Sequence, residues 1–131
     1  MRAKAETYQA VWKDLQETWG QGAWEAEEVK KMLHCNMTTI HWLKRDRVIE
    51  VRENKNTWEM YLPLEQVLRA AIAYSAWCRM GVYGDDVEEG WREMVGEVGE
   101  LMTREGNAEF FADRRVQEAI VLVARGVDRG E

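Results

Sequence analysis

The chain has 131 residues, 46% of them apolar and 32% charged, and a formal charge of −6 at neutral pH. That balance suits one folded domain, or a small module plus an oligomerisation segment, and excludes a disordered or low-complexity chain. No run reaches the roughly eighteen apolar residues of a membrane span, and the opening MRAKAE is no secretory leader, so a soluble protein in the cytoplasm of a bacterial or phage-infected cell is expected.

Ala3 to Trp19 reads as a helix, with Tyr8, Val11, Trp12, Leu15 and Trp19 on one face, and Gly20-Gln21-Gly22 ends it. Its tryptophans, with Trp24, are expected to be core between this helix and the next segment of the chain. Glu25 to Leu33 forms a second helix burying Ala26, Val29, Met32 and Leu33 while Glu27, Glu28, Lys30 and Lys31 stay wet. His34-Cys35-Asn36 interrupts the pattern, and Asn36 is a good N-cap for a third helix, Met37 to Arg45. Burying Val29 and Leu33 against Ile40 and Leu43 sets the two helices at a steep angle and leaves the outer face of the third free.

Val48 to Arg52 and Trp58 to Leu62 read as two short strands around the polar turn Glu53 to Thr57. Pro63 stops the second strand and suits the first turn of a helix from Leu64 to about Arg79, with Gly81 as its stop. Gly84-Asp85-Asp86 makes a turn and an N-cap for Val87 to Thr103, whose stripe of Trp91, Met94, Val95, Val98, Leu101 and Met102 lies opposite an acidic face of glutamates. Gly90, Gly96 and Gly99 weaken that helix, each by up to about 1 kcal/mol against Ala. After Gly106-Asn107 a last helix, Ala108 to Arg125, presents Phe111, Val116, Ala119, Ile120 and Val123, and 126–131 is a frayed tail.

Residues 24–68 resemble the excisionase and MerR-like winged helix-turn-helix group. The resemblance rests on Val29 and Leu33, Thr39-Ile40 with Leu43, Ile49 and Arg52, Trp58 and Tyr61, and Pro63-Leu64-Glu65 with Val67-Leu68, in that order and at that spacing. It implies a winged helix-turn-helix with a short β-hairpin over 23–63; with the amphipathic N-terminal helix over 1–22 and an acidic helical oligomerisation region over 64–131 that ends in a helical hairpin, the expected fold is mainly α. It also implies double-stranded DNA as partner. Thr38, Thr39, His41 and Lys44 would face base edges, Arg45, Arg47, Arg52 and Lys55 would face phosphates, and Asn54 and Asn56 would approach the neighbouring groove. Trp42, on the same face, would stack on a sugar, pack on the helix that begins at Leu64 or face a protein partner.

Two helices beyond what a winged module needs suggest pairing with a second copy through Trp91, Met94, Val95, Val98, Leu101, Met102 and Ile120. A transcription regulator, an excisionase-like protein and a phage packaging recognition subunit all share this layout.

Net charge pulls the other way. Over 37–58 five bases face three acids, a net +2, whereas 63–131 carries eight Arg against fourteen Asp and Glu, a net −6. The alternative is therefore an inhibitor of the phage anti-defence type, using the winged fold and acidic helices to bind a basic protein. No enzyme is expected, since the chain lacks a phosphate-cradling glycine loop, a nucleophile elbow and a histidine-carboxylate pair at helical spacing. No cofactor or metal is expected either: His34, Cys35 and His41 match no zinc signature, and Asp85, Asp86, Glu88 and Glu89 suit a helix start. Cys35 and Cys78 form no disulfide framework and fit a reducing compartment.

Overall fold

The computed structural model describes residues 2–129, which form seven α-helices and a three-stranded antiparallel sheet around one hydrophobic cluster. Helix α1 (Arg2–Trp19) buries Trp12 and Leu15. Gly20, which follows it, has no room for a side chain, since a Cβ there would sit 2.3 Å from the Gln16 carbonyl oxygen. Close approach, and not the left-handed backbone expected of this glycine, is what excludes a side chain.

Strand β1 (Ala23–Glu25) comes next, an element not expected from the sequence, and it takes in Glu25, the residue expected to open the second helix. Its pairing is long-range, Trp24 opposite Leu62 of β3 (Met60–Pro63), so local pattern has no access to it. Helix α2 (Ala26–Leu33) buries Ala26, Val29, Met32 and Leu33, the four expected positions. The turn His34-Cys35-Asn36 has His34 left-handed at φ 60°, and Tyr74 Oη donates to the His34 carbonyl at 3.2 Å. Helix α3 (Met37–Arg45) starts on Asn36, whose Oδ1 accepts the Thr39 amide at 2.9 Å, and it buries Ile40 and Leu43.

The first hairpin strand is shorter than expected. Only Arg52–Glu53 (β2) pairs, with Tyr61 and Met60. Upstream, Ile49 points into the core and the Glu50 amide donates to Gln66 Oε1 at 2.8 Å, so a side chain of the next helix takes the bond a ladder would have made.

Helix α4 (Leu64–Met80) is the axis of the molecule. Leu64, Val67, Leu68, Ala70, Ala71, Ile72, Ala73 and Ala76 are buried, and the run of alanines lets neighbouring helices close on it from several sides. It stops at Gly81, left-handed at φ 59°. A 3-10 turn, Gly84–Asp86, leads into α5 (Val87–Met102), which packs along α4.

The expected last helix is two. α6 (Ala108–Ala112) breaks at Asp113, with ψ 130°, and α7 (Arg114–Arg129) restarts with the Arg115 amide on Asp113 Oδ1 at 2.9 Å. Phe110 and Phe111 are buried edge to face at 5.3 Å.

Two expectations about this region are corrected. Helix α7 continues through the stretch expected to be a frayed tail: Val127 is buried, and a Cβ on Gly126 would lie 2.2 Å from Met32 Cγ. Residues 130–131 lie outside the described residues. Nor do α5 and α7 form a hairpin set aside for a second copy, because α5 lies on α4 while α7 packs on α4, α1, α2 and α6.

Candidate functional site

The outer side of α3 and the hairpin after it hold most of the exposed polar residues to which the winged-helix resemblance points. Ile40 and Leu43 point inward, so Thr38 and His41 stand exposed on the opposite side. Thr39 is half-buried and its hydroxyl, like its amide, is committed to the Asn36 carboxamide, at 3.1 Å.

The cations divide into two sets. Lys44 is ion-paired with Glu53 across the gap between α3 and β2. Arg45 forms a two-pronged pair with Asp46, Nε to Oδ1 at 3.2 Å and Nη2 to Oδ2 at 2.9 Å. Arg47, Arg52 and Lys55 are exposed and have no carboxylate partner among the described residues.

Arg47 occupies a demanding backbone position. Its amide reaches the Lys44 carbonyl at 3.1 Å and the Val48 amide reaches the Leu43 carbonyl at 2.9 Å, the paired bonds of a helix end that turns through a left-handed residue. That residue, usually glycine, is here Arg47 at φ 60°. Holding a side chain there costs about 1–2 kcal/mol.

Trp42 turns toward the protein. Half-buried, its ring meets Trp91 edge to face at 5.4 Å, and Trp91 meets Trp77 at 5.2 Å in the same manner. The Arg45 guanidinium lies 5.7 Å from the Trp42 ring centre. Trp91 Nε1 donates to Asp46 Oδ2 at 2.6 Å. The ring partner of Trp42 is thus on α5 and not on the helix that begins at Leu64, where packing was expected. The arrangement walls a cleft of about 700 Å³ between the end of α3 and the start of α5, lined also by Asp85, Glu88 and Arg92. The Asp46 carboxyl lies below its usual range, first because Arg45 hydrogen-bonds it, with help from the Trp91 N–H against the cost of burial.

The hairpin tip is a tight loop. The Trp58 amide donates to the Asn54 carbonyl at 2.7 Å, the Asn54 amide to the Glu59 carbonyl at 2.9 Å, and the Asn56 amide to Asn54 Oδ1 at 2.9 Å. Trp58 itself, expected at the start of a strand, lies outside β3, left-handed at φ 60° and 76% exposed. Sequence pattern carried no signal for this, since no rule places tryptophan at such a position.

The expected pairing surface is corrected. Trp91, Met94, Val98, Leu101 and Ile120 are at most 3% exposed within this single chain, while Val95 and Met102 are half-buried against the same core. Their helical stripe faces α4 and its neighbours, so one chain already covers the surface that a second copy would have used.

Cys35 is half-buried, and burial pushes its thiol up to about 11, so it is a protonated packing residue at neutral pH. Among the described residues no group of three or more His, Cys, Asp or Glu side chains is placed to hold a metal ion, and no helix is long and apolar enough to cross a membrane. The chain matches no protein-family model, no curated protein and no solved structure.

Proposed function

We propose that residues 23–63 act as a winged helix-turn-helix that binds double-stranded DNA, with α3 entering the major groove and the β2–β3 hairpin serving as the wing. The observation that carries this is the set Arg47, Arg52 and Lys55: three exposed cations without carboxylate partners among the described residues, on the turn and hairpin that follow the helix bearing the exposed Thr38 and His41. Phosphate contacts from the three would fix the helix in register, and Thr38 and His41 would meet base edges. Lys44 and Arg45 take a smaller part than expected, because each already has a carboxylate beside it. Pairing through α5 and α7 is no part of this proposal. Regulator, excisionase-like protein and packaging subunit stand equal within it.

One observation favours the second hypothesis, a protein-binding module of the inhibitor or anti-defence type. Glu53 and Asp46 neutralise two of the five cations over 37–58, and the chain as a whole is acidic. A protein that collects phosphates gains from a basic face.

Titration of a mixed-sequence duplex at falling salt tests the choice. Binding that tightens linearly with the logarithm of salt dilution supports DNA as partner, whereas no binding at about 50 mM salt or below removes it in favour of a protein target.

A further inference from the structure

We propose that Trp58 is an apolar wedge that enters the minor groove beside the wing and unstacks a base step; this rests on the DNA-binding proposal and sharpens it. The ring is 76% exposed and makes no aromatic pair among the described residues. Its backbone is left-handed at φ 60°, a conformation that bulky residues seldom adopt. The loop beneath it is closed by the Trp58–Asn54 and Asn54–Glu59 backbone bonds and by the Asn54 side chain, so the indole is carried on a defined support. A strained, solvated tryptophan adds nothing to the core, and its ring is free to meet an external surface.

The surroundings select duplex DNA over a protein. The other exposed large apolar residues, Val11 and Tyr83, lie on α1 and before the 3-10 turn, so Trp58 stands alone among Asn54, Lys55, Asn56 and Thr57. A protein hot spot sits inside a ring of contacts that excludes water, and the polar residues of this tip form no such ring. A minor groove instead takes a single apolar wedge with cations reaching the flanking phosphates, the roles open here to Arg52 and Lys55. Of the acids beside the tip, Glu53 is paired with Lys44, while Glu59 accepts from Tyr61 Oη at 2.7 Å and keeps its charge.

The test uses the full chain and a mixed-sequence duplex of about 30 base pairs carrying 2-aminopurine beside its TA steps, which unstack most easily. The unsubstituted protein and Trp58→Phe should bind and raise the 2-aminopurine emission. Trp58→Ala should bind about tenfold more weakly, with the salt dependence unchanged and the emission rise abolished. Trp58→Gly should lose affinity while melting at a higher temperature, because glycine relieves the backbone. Equal affinity and emission for Trp58→Ala, or a Trp58→Phe variant as weak as Trp58→Ala, overturns the wedge and leaves DNA binding standing. Absence of any duplex binding at low salt overturns both, and a protein partner whose binding requires Trp58 would then claim the hairpin.

Discussion

Trp91 Nε1 donates to Asp46 Oδ2 at 2.6 Å, joining the helix that succeeds α4 to the C-cap residue of α3. Asp46 also holds Arg45, so one carboxylate sets the end of α3, the rotamer of a cation and the contact between Trp42 and Trp91. Replacing Asp46 with Ala strands a part-buried N–H and should lower unfolding stability by about 1–3 kcal/mol, with Asp46→Asn milder because it keeps an acceptor. Urea unfolding followed by tryptophan emission measures both. Equal midpoints for Asp46→Ala and the unsubstituted chain would remove the structural role assigned to this bond.

Arg47 predicts a conflict between stability and binding. Arg47→Gly relieves the left-handed backbone at φ 60° and should raise stability by up to about 1 kcal/mol. It also deletes one of the three exposed cations that no carboxylate neutralises, so duplex affinity should fall. Thermal melting and duplex titration of the same preparation give the two readouts, and a stabilised variant with undiminished affinity would mean that Arg47 meets no phosphate.

The division among the cations predicts different salt slopes. Substituting Arg47, Arg52 and Lys55 together by Ala should reduce the slope of log affinity against log salt by roughly 2–3, about 0.9 for each phosphate no longer neutralised. Substituting Lys44 and Arg45 should change it less, since Glu53 and Asp46 already compensate them. The reverse ranking, measured by anisotropy over a salt series, would place the phosphates on α3 itself.

Helix α5 offers substitutions of opposite sign. Val98 is 1% exposed, and Val98→Asp should unfold the chain, leaving no dispersed monomer, because it buries an unpaired carboxylate. A Cβ on Gly96 or Gly99 meets nothing within 4 Å, so alanine at both should raise the melting temperature, each change worth up to about 1 kcal/mol. A folded, monomeric Val98→Asp protein on circular dichroism and sizing would restore the idea of an interface on this face.

Acid stability draws on three carboxylates held below their usual values: Asp46 chiefly by Arg45, Asp113 chiefly by Arg115, and Glu118 chiefly by Arg79. A carboxyl depressed by folding contributes stability that is complete above its unfolded value and disappears as pH falls through the folded one. The ordinary values are 3.8 for Asp and 4.5 for Glu, so the urea midpoint should be level above about pH 5 and fall below about pH 4. Glu118 should contribute least, its side chain being 40% exposed and screened. Asp113→Asn, which retains an acceptor for the Arg115 amide, should weaken the acid dependence without undoing the helix start.

Local signals in the sequence locate α2, α3 and α4 well, because each declares itself within a few residues: the Val29 and Leu33 spacing, the Asn36 cap, Pro63 at the entry to α4 and Gly81 at its exit. The elements that escaped depend on partners far along the chain. Strand β1 exists only because Trp24 finds Leu62, and the α5 stripe looks unpartnered until α4 is laid against it. Asp113 could have been recognised as a helix start, since aspartate is a preferred N-cap residue. No pattern identifies the left-handed Arg47 and Trp58, where backbone shape is imposed by a helix end and a hairpin tip. At the candidate site the exposed residues Thr38, His41, Arg47, Arg52 and Lys55 were legible as polar positions; the carboxylates that occupy Lys44 and Arg45 were visible only as neighbours in charge counts.

Gly126 and Met32 meet so closely that the last turns of the chain form a wall of the helix pair near its beginning. A fragment ending at residue 63 would lack that wall as well as α4, leaving Val29, Met32 and Leu33 open to water. Expression of the proposed reading head alone should therefore give an aggregating peptide, and tags or truncations at the far terminus act on α2 directly.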